Sequence, residues 1–230
     1  MSTWLVTGAS RGIGLELVRQ LHARGEDVIA TCRRRTPDLD AVGCRVVDGI
    51  DVGSDDVGGA LREALGDEQP VDVVVNNAGV ARWDALETID LDAAREEIDV
   101  NALGPLRVTL ALLPRLGAGA RIALVSSKAG SIGDRPSGRN YGYRMSKAAL
   151  NMLGANLAAD LAPRGIHVGV FHPGFVRTEM TQGGGNVDPP ESAAGLIRQI
   201  DALDASRSGR FFHRRERGRL VGDRASRAEP

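Results

Sequence analysis

Cysteine is scarce in this chain, occurring only at Cys32 and Cys44 among 230 residues. Two thiols cannot build the disulfide framework of a small secreted scaffold, so a reduced, intracellular protein is expected. No apolar run approaches the ~20 residues that cross a bilayer. The first strand-like run begins at the third residue, which leaves no room for a signal peptide. These absences predict a cytoplasmic protein with no membrane partner. Net charge is −1 at pH 7, which gives no global reason to expect a nucleic-acid partner. Aromatic residues make up 3% of the chain, so the core must be aliphatic. No metal site is expected.

Lysine is scarcer than its charge class suggests. Of 29 basic residues only Lys128 and Lys147 are lysine, and the others are arginine. A surface cation here is almost always Arg, so a Lys needs a reason. Arg is a rigid, permanently charged fork, whereas Lys carries a compact ammonium that can sit beside a phenol. Lys147 follows Tyr143 by four residues in the run Tyr-Arg-Met-Ser-Lys, one turn along a helix face. A cation held there favours tyrosinate and lowers the phenol's pKa. That pairing predicts a proton donor. Tyr141, the other phenol, has Met145 four residues on and no ammonium partner.

Hydrophobic patterning alternates between strand and helix along the chain. Strands are predicted near Trp4–Thr7, Asp27–Cys32, Cys44–Val47, Val71–Asn76, Arg121–Ser126, Ile166–Phe171 and Arg210–His213. Helices are predicted near Gly12–Ala23, Asp55–Leu65, Leu91–Leu116, Tyr141–Leu161 and Glu191–Leu203. Val71 to Val75 and Ile122 to Val125 are near-continuous apolar runs, as in parallel strands covered on both faces. The pattern predicts an α/β fold, a Rossmann-type doubly wound parallel sheet of about seven strands, forming one domain over 1–230. Gln182–Pro190 reads as a mobile loop within a substrate segment at about 177–190, and the polar residues from Gly222 onward read as frayed.

Between the first strand and first helix lies Thr7-Gly8-Ala9-Ser10-Arg11-Gly12-Ile13-Gly14. Gly8 and Gly12 allow the backbone to approach a pyrophosphate, Gly14 allows close helix packing, and the helix start offers free N–H groups to an anion. The spacing is Gly-x3-Gly-x-Gly, not the commoner dinucleotide fingerprint, and no Gly-Lys-Ser/Thr follows to make a P-loop. At the end of the second strand an NAD site usually has an acidic residue about 20 residues past the turn. Here Arg33-Arg34-Arg35 stands instead, with no acid before Asp38. Arg33, and Arg11 inside the glycine turn, are therefore the expected contacts to a 2′-phosphate, which predicts NADP(H) rather than NAD(H).

The turn and the dyad resemble those of the short-chain dehydrogenases/reductases of the single-domain type, and the resemblance runs nearly the whole chain. Thr7 to Gly14, Asn76-Asn77-Ala78-Gly79, Asn101, Ser126-Ser127, Tyr143/Lys147 and Pro173-Gly174 fall in the family's order. Their details are most similar to carbonyl reductases of the C-factor/Sniffer type. The resemblance implies a catalytic set of Asn101, Ser127, Tyr143 and Lys147. Tyr143 would be general acid in reduction and base in oxidation, Ser127 would orient the carbonyl, and Asn101 would hold a water linked to Lys147. It implies cofactor contacts from Gly8, Ser10, Arg11, Gly12, Ile13, Gly14, Asp51, Val52, Asn76, Ala78, Gly79, Tyr143, Lys147, Pro173, Gly174, Val176 and Thr178.

One departure is the Ser127–Tyr143 interval, longer than is usual in the family. It is read as a longer loop over Asp134–Asn140, with Ser131 as the alternative partner for Tyr143. The expected activity is interconversion of a small-molecule carbonyl and alcohol. Trp83, Phe175 and Met180 are candidate apolar walls, each equally a core or dimer residue. Val108–Leu116 and Ala148–Leu161 are apolar on more than one face, which points to a homodimer or homotetramer. The rival readings are an NAD(P)-binding sensor or signalling protein without turnover and a structural subunit.

Overall fold

The computed structural model describes residues 1–66, 69–133, 138–213 and 219–220. Residues 134–137 of the longer loop, and the polar tail from Gly222, lie outside the described residues. Eight strands form one sheet: β1 (Thr3–Thr7), β2 (Asp27–Thr31), β3 (Arg45–Val47), β4 (Val73–Asn76), β5 (Arg121–Val125), β6 (His167–His172), β7 (Arg210–His213) and β8 (Arg219–Leu220). Their order is β3-β2-β1-β4-β5-β6-β7-β8. The first seven run parallel, as the sequence predicts, and β8 adds a short antiparallel edge to β7. Val73, Val74 and Val75 are buried on both faces, which is why their run lacks the alternation of a half-exposed strand.

Helices cover each face. α1 (Gly12–Ala23) buries Leu15, Leu17, Val18 and Leu21, and packs beside α7 (Pro189–Asp201) on one side. On the other side, α3 (Val57–Leu65), α5 (Gly104–Leu112) and α6 (Tyr141–Leu161) enclose Leu5, Ile29, Val74, Ile122 and Val168. Each such fully buried side chain contributes roughly 1.5–3 kcal/mol, against about 0–1 for an exposed ion pair. The aliphatic layers therefore hold the fold, and the many surface Arg pairs decorate it. A short α2 (Pro37–Asp40), absent from the pattern reading, is capped by the Thr36 hydroxyl.

The predicted helix Leu91–Leu116 is interrupted. α4 (Leu91–Ile98) passes through a wider π-turn over Asp99–Leu103 before α5 begins, and a 3₁₀ turn at Leu113–Arg115 ends it. Pro105 lies in the first turn of α5, where it has no N–H to give and its ring crowds the preceding turn. The π-turn absorbs that mismatch and places Asn101 at its centre. The segment read as a mobile loop, Gln182–Pro190, is tied back instead. Val176 bridges Val187, and Arg177 N–H donates to the Val187 carbonyl at 2.9 Å.

Because β1 lies between β2 and β4, the chain winds outward in opposite directions on either side of the β1/β4 boundary. In such sheets the crevice outside the strand carboxyl ends at this switch is the ligand site. The turns that follow β1, β4 and β5, beginning at Gly8, Asn77 and Ser126, lie along that edge.

Candidate active site

Two glycines of the first turn adopt left-handed backbone, Gly8 with φ 66° and Gly12 with φ 56°. A side chain on Gly8 would stand 2.7 Å from Ala78 Cα, so the turn after β1 and the turn after β4 meet backbone to backbone. Asn77 staples them: its side-chain amide donates to the carbonyls of Thr7 (3.0 Å) and Gly8 (3.2 Å). The Thr7 hydroxyl oxygen accepts the N–H groups of Asn77 (3.0 Å) and Ala78 (3.1 Å). Asn77 thus does the structural work of the Asn-Asn motif. Asn76 beside it is buried, and neither side-chain amide atom has a partner among the described residues. A buried polar group in that state costs about 1–3 kcal/mol unless a ligand or water completes it.

α1 starts at Gly12 with no side-chain cap and no acid in its first turn, so its N–H groups face the crevice uncompensated. The Ser10 carbonyl accepts the Thr36 hydroxyl at 3.0 Å. Thr178 lies against Gly12, closing the far wall. Arg11 reaches across the turn to pair with Glu179, both largely exposed. Arg33 and Arg34 stand exposed at the end of β2 and pair with no described acid, whereas Arg35 folds back to the Val46 carbonyl at 2.9 Å. Asp51 holds the Gly53 N–H at 3.0 Å, and Val52 is buried against Gly104. Val176 is buried, and Gly174 takes φ 94° after Pro173, whose carbonyl accepts the Ser192 hydroxyl at 2.8 Å.

The proton-transfer group is assembled from three elements. Ser127, two residues beyond β5, is extended, accepts the Ala129 N–H at 3.1 Å, and lies close enough to the Tyr143 phenol to favour its ionised form. Ser126 is turned the other way, donating to Asn151 Oδ1 at 2.6 Å inside the fold. Ser127, not Ser126, is therefore the serine on the phenol's side. Tyr143 and Lys147 share a face of α6, whose start is fixed by Asp84: its carboxylate accepts the Tyr141 N–H at 2.8 Å. Gly130 packs on the α6 backbone at Lys147, where a side chain would fall 2.6 Å from the Lys147 carbonyl carbon.

Lys147 is buried, its ammonium donating to the Val125 carbonyl at 3.0 Å and lying 5.8 Å from the Tyr143 ring centroid. Burial lowers its pKa to about 8. The expectation that Lys147 lowers the Tyr143 pKa is corrected here. Burial pushes the Tyr143 phenol up, the nearby Ser127 hydroxyl opposes that, and the charge of Glu97 adds to it. The ammonium is directed at Val125 and the ring, so desolvation outweighs its pull on the phenol oxygen.

Asn101 is fully buried, accepting the Val80 N–H at 2.8 Å and donating to the Val80 carbonyl (2.8 Å) and Ser146 Oγ (2.9 Å). Gly79 runs over it: an added side chain would stand 3.0 Å from Asn101 Oδ1 and 3.8 Å from Lys147 Nζ. Above this group Trp83, Phe175 and Met180 are exposed, and Trp83 Nε1 donates to the Met180 carbonyl at 3.3 Å. Two residues that sequence reasoning missed are Glu97 and Asp84. Glu97 sits four residues before Asn101 on the same helix side, a spacing that could have drawn attention to it.

A glycine turn at the switch of a doubly wound sheet, facing a Ser–Tyr–Lys group, defines an oxidoreductase of the dinucleotide-binding class. The model of the family described as short chain dehydrogenase matches residues 2–186. The chain belongs to that family. It is 44% identical over 218 residues to the 1-hydroxy-2-glutathionyl-2-methyl-3-butene dehydrogenase of Rhodococcus sp. (strain AD45), covering 93% of this chain and 96% of that one. It is 47% identical over 146 residues to the C-signal of Myxococcus xanthus, covering 62% of this chain and 88% of that one. Its structure is similar to that of the NADPH-bound carbonyl reductase from chicken fatty liver, with a TM-score of 0.83 and 30% identity over 96% of this chain and 99% of the other.

Proposed function

We propose that this oxidoreductase uses NADP(H) to interconvert a carbonyl and an alcohol, with Tyr143 as general acid in reduction and general base in oxidation. The observation that carries the reading is that Tyr143 and Lys147 share a face of α6, with the Lys147 ammonium buried 5.8 Å from the Tyr143 ring centroid and the Ser127 hydroxyl on the phenol's side. The whole chain, 1–230, is taken as one domain that carries its own substrate segment at 177–190.

The crevice fits a dinucleotide. Gly8, Ser10, Arg11, Gly12, Ile13 and Gly14 would hold the pyrophosphate side, and Arg33 the 2′-phosphate. Asp51 and Val52 would edge the adenine. Ala78, Gly79 and the unpartnered amide of Asn76 would wall the adenosine ribose. Pro173, Gly174, Val176 and Thr178 would border the nicotinamide. NADPH in the chicken carbonyl reductase favours the same cofactor here. When bound, the nicotinamide supplies or accepts the hydride. Arg33→Ala is expected to raise the NADPH KM about tenfold or more while leaving the NADH KM nearly unchanged, since one charge-assisted phosphate contact is at stake. Steady-state kinetics with both cofactors would decide it, and equal changes would remove Arg33 from the phosphate site.

Ser127 would donate to the carbonyl oxygen and hold it in line with Tyr143. The Tyr143 O–H bond breaks as its proton passes to that oxygen, and in oxidation the same atoms move in reverse. Lys147 would hold the nicotinamide ribose. Asn101, whose side chain is committed to Val80 and Ser146, would hold the relay water through its main-chain carbonyl.

A cavity of about 460 Å³ lined by Trp83, Asp84, Ala85, Thr88, Arg139 and Asn140 adjoins the start of α6. It offers an indole wall and charges of both signs, which suits a substrate carrying a zwitterionic arm. The glutathionyl alcohol in the name of the Rhodococcus relative is of that kind. The test is NADP(H) turnover against a panel of ketones, aldehydes, quinones and glutathione-conjugated alcohols. Tight NADPH binding with no turnover on any of them would overturn the reading in favour of a sensor.

Leu103, Leu110, Met145 and Met152 are exposed on the π-turn, α5 and α6. Apolar surface of this kind is expected to be covered by a second copy in a cytoplasmic homodimer, alone or within a tetramer. Sedimentation as a monomer at micromolar concentration would remove that expectation.

A further inference from the structure

Ser146 is fully buried on the turn of α6 between Tyr143 and Lys147, and has no part in the chemistry proposed above. Its hydroxyl donates to the Tyr143 main-chain carbonyl at 2.8 Å and accepts the Asn101 side-chain amide at 2.9 Å. A serine within a helix commonly bonds back to its own preceding turn and goes no further. Here the same oxygen also receives a donor from another element, the π-turn over Asp99–Leu103. Among the described residues this is the one side-chain hydrogen bond that joins the π-turn to α6.

The direction of each bond in this network is fixed by what its groups can do. The Val80 N–H can only donate, so it meets Asn101 Oδ1, and the amide nitrogen faces the other acceptors. Both amide hydrogens are then spent, one on the Val80 carbonyl and one on Ser146 Oγ. The Tyr143 carbonyl can only accept, so the Ser146 hydroxyl proton points to it. Val80 follows Gly79 on the crevice wall, where an added side chain would meet both Asn101 Oδ1 and Lys147 Nζ. One chain of hydrogen bonds thus runs from that wall through Asn101 to the turn that carries Tyr143 and Lys147. Close contacts hold the same turn elsewhere, Gly142 on Ala94 and Gly130 on Lys147, but neither of them reaches Asn101.

We propose that Ser146 is a positioning residue for proton return: it locks the main-chain carbonyl of Asn101 in register with Tyr143 and Lys147, so that the relay water stays connected to the phenol. The inference rests on the proposed roles of Tyr143 as acid and Asn101 as holder of that water. In reduction a hydride passes from NADPH to the carbonyl carbon, the Tyr143 O–H bond breaks and an alcohol O–H bond forms. A proton from solvent then re-forms the Tyr143 O–H bond, and this second event is the one Ser146 serves. Without its hydroxyl an amide hydrogen of Asn101 is left unpaired in a dry interior, and the π-turn loses its tie to α6. Hydride transfer draws on a phenol that is already protonated, so it should be spared.

Single turnovers with NADPH and a quinone separate the two events: nicotinamide absorbance follows hydride transfer, and a pH-indicator dye follows proton uptake. In Ser146→Ala hydride transfer should stay within about twofold of wild type while proton uptake slows about tenfold, less than the ~100-fold that a full ångström of misplacement can cost. Ser146→Cys keeps the volume but is a weak donor; it should behave likewise, and serves if the Ala variant is unfolded. With neither substrate nor cofactor present, the Asn101 side-chain amide protons should exchange with solvent about tenfold faster in either variant, read by NMR. Proton uptake that keeps its wild-type rate in both variants, or hydride transfer that slows as much as uptake, overturns the proposal. Unchanged amide exchange overturns it as well. A Tyr143→Phe protein with a full hydride-transfer rate would instead remove the acid assignment, whatever the Ser146 variants do.

Discussion

Tyr143→Phe is expected to reduce kcat for carbonyl reduction by about 10²–10⁴-fold, which is some 3–5 kcal/mol of transition-state stabilisation. The substitution deletes one oxygen. The ring that lies 5.8 Å from the Lys147 ammonium remains, so the packing of α6 on the 128–130 turn should survive. NADPH affinity should change little, because the glycine turn, the Asn77 staple and the end of β2 lie on other elements. Ser127 can still orient a carbonyl, so residual turnover above background is expected. Stopped-flow hydride transfer and a separate NADPH titration distinguish the two effects. A variant that keeps its rate within about threefold, roughly 0.6 kcal/mol, would exclude Tyr143 as the acid. A parallel loss of NADPH binding would instead mean that the phenol matters for the cradle.

The second large effect concerns the backbone. Gly14→Ala should destabilise the protein by about 1–3 kcal/mol, the usual cost of overpacking. It should also weaken NADPH binding. Alanine is intrinsically the better helix residue by up to ~1 kcal/mol. At this position its Cβ would overlap the Gly8 carbonyl oxygen and stand 2.5 Å from Asn77 Nδ2. The obstacle is the turn's own backbone and the amide that staples it to Ala78, not the yielding tip of a long side chain. The clash therefore exceeds the propensity gain. Gly117→Ala, where nothing lies within 4 Å, is the matched control and should be near neutral. Urea melts of both variants, with NADPH titrations, test the claim. A Gly14→Ala protein as stable as the control would mean that the turn relaxes freely and is not a fixed cradle.

Much of the architecture was legible in the residues because it depends on local periodicity. The valine run of β4, the amphipathic spacing of α1 and the glycine turn between β1 and α1 each state their structure within a few positions. The Tyr143/Lys147 face was legible for a different reason: in a chain that spends arginine everywhere else, a lysine stands out. What escaped was whatever depends on a distant partner. The break between α4 and α5 needs Pro105 and the buried bonding of Asn101 to Val80 and Ser146, which no helical window contains. Arg11 read as a free phosphate ligand, yet it meets Glu179 from the far end of the fold. Glu97 lies in the run Arg-Glu-Glu-Ile-Asp, which by composition is a solvated helix face. Its burial becomes visible only when α6 brings a residue without a side chain against it. The sign of the Tyr143 pKa was misjudged for the same reason, since the dyad was weighed without its surroundings.

The shortage of lysine has a practical corollary at the bench. Lys147 is enclosed, so Lys128 is the one exposed side-chain amine on the described surface, and it adjoins Ser127 at the mouth of the crevice. An acylating fluorophore or a resin ester would attach to this protein there or at the amino terminus, and almost nowhere else. A dye placed on Lys128 would report cofactor and substrate arriving, while immobilisation through the same amine would turn the crevice toward the support.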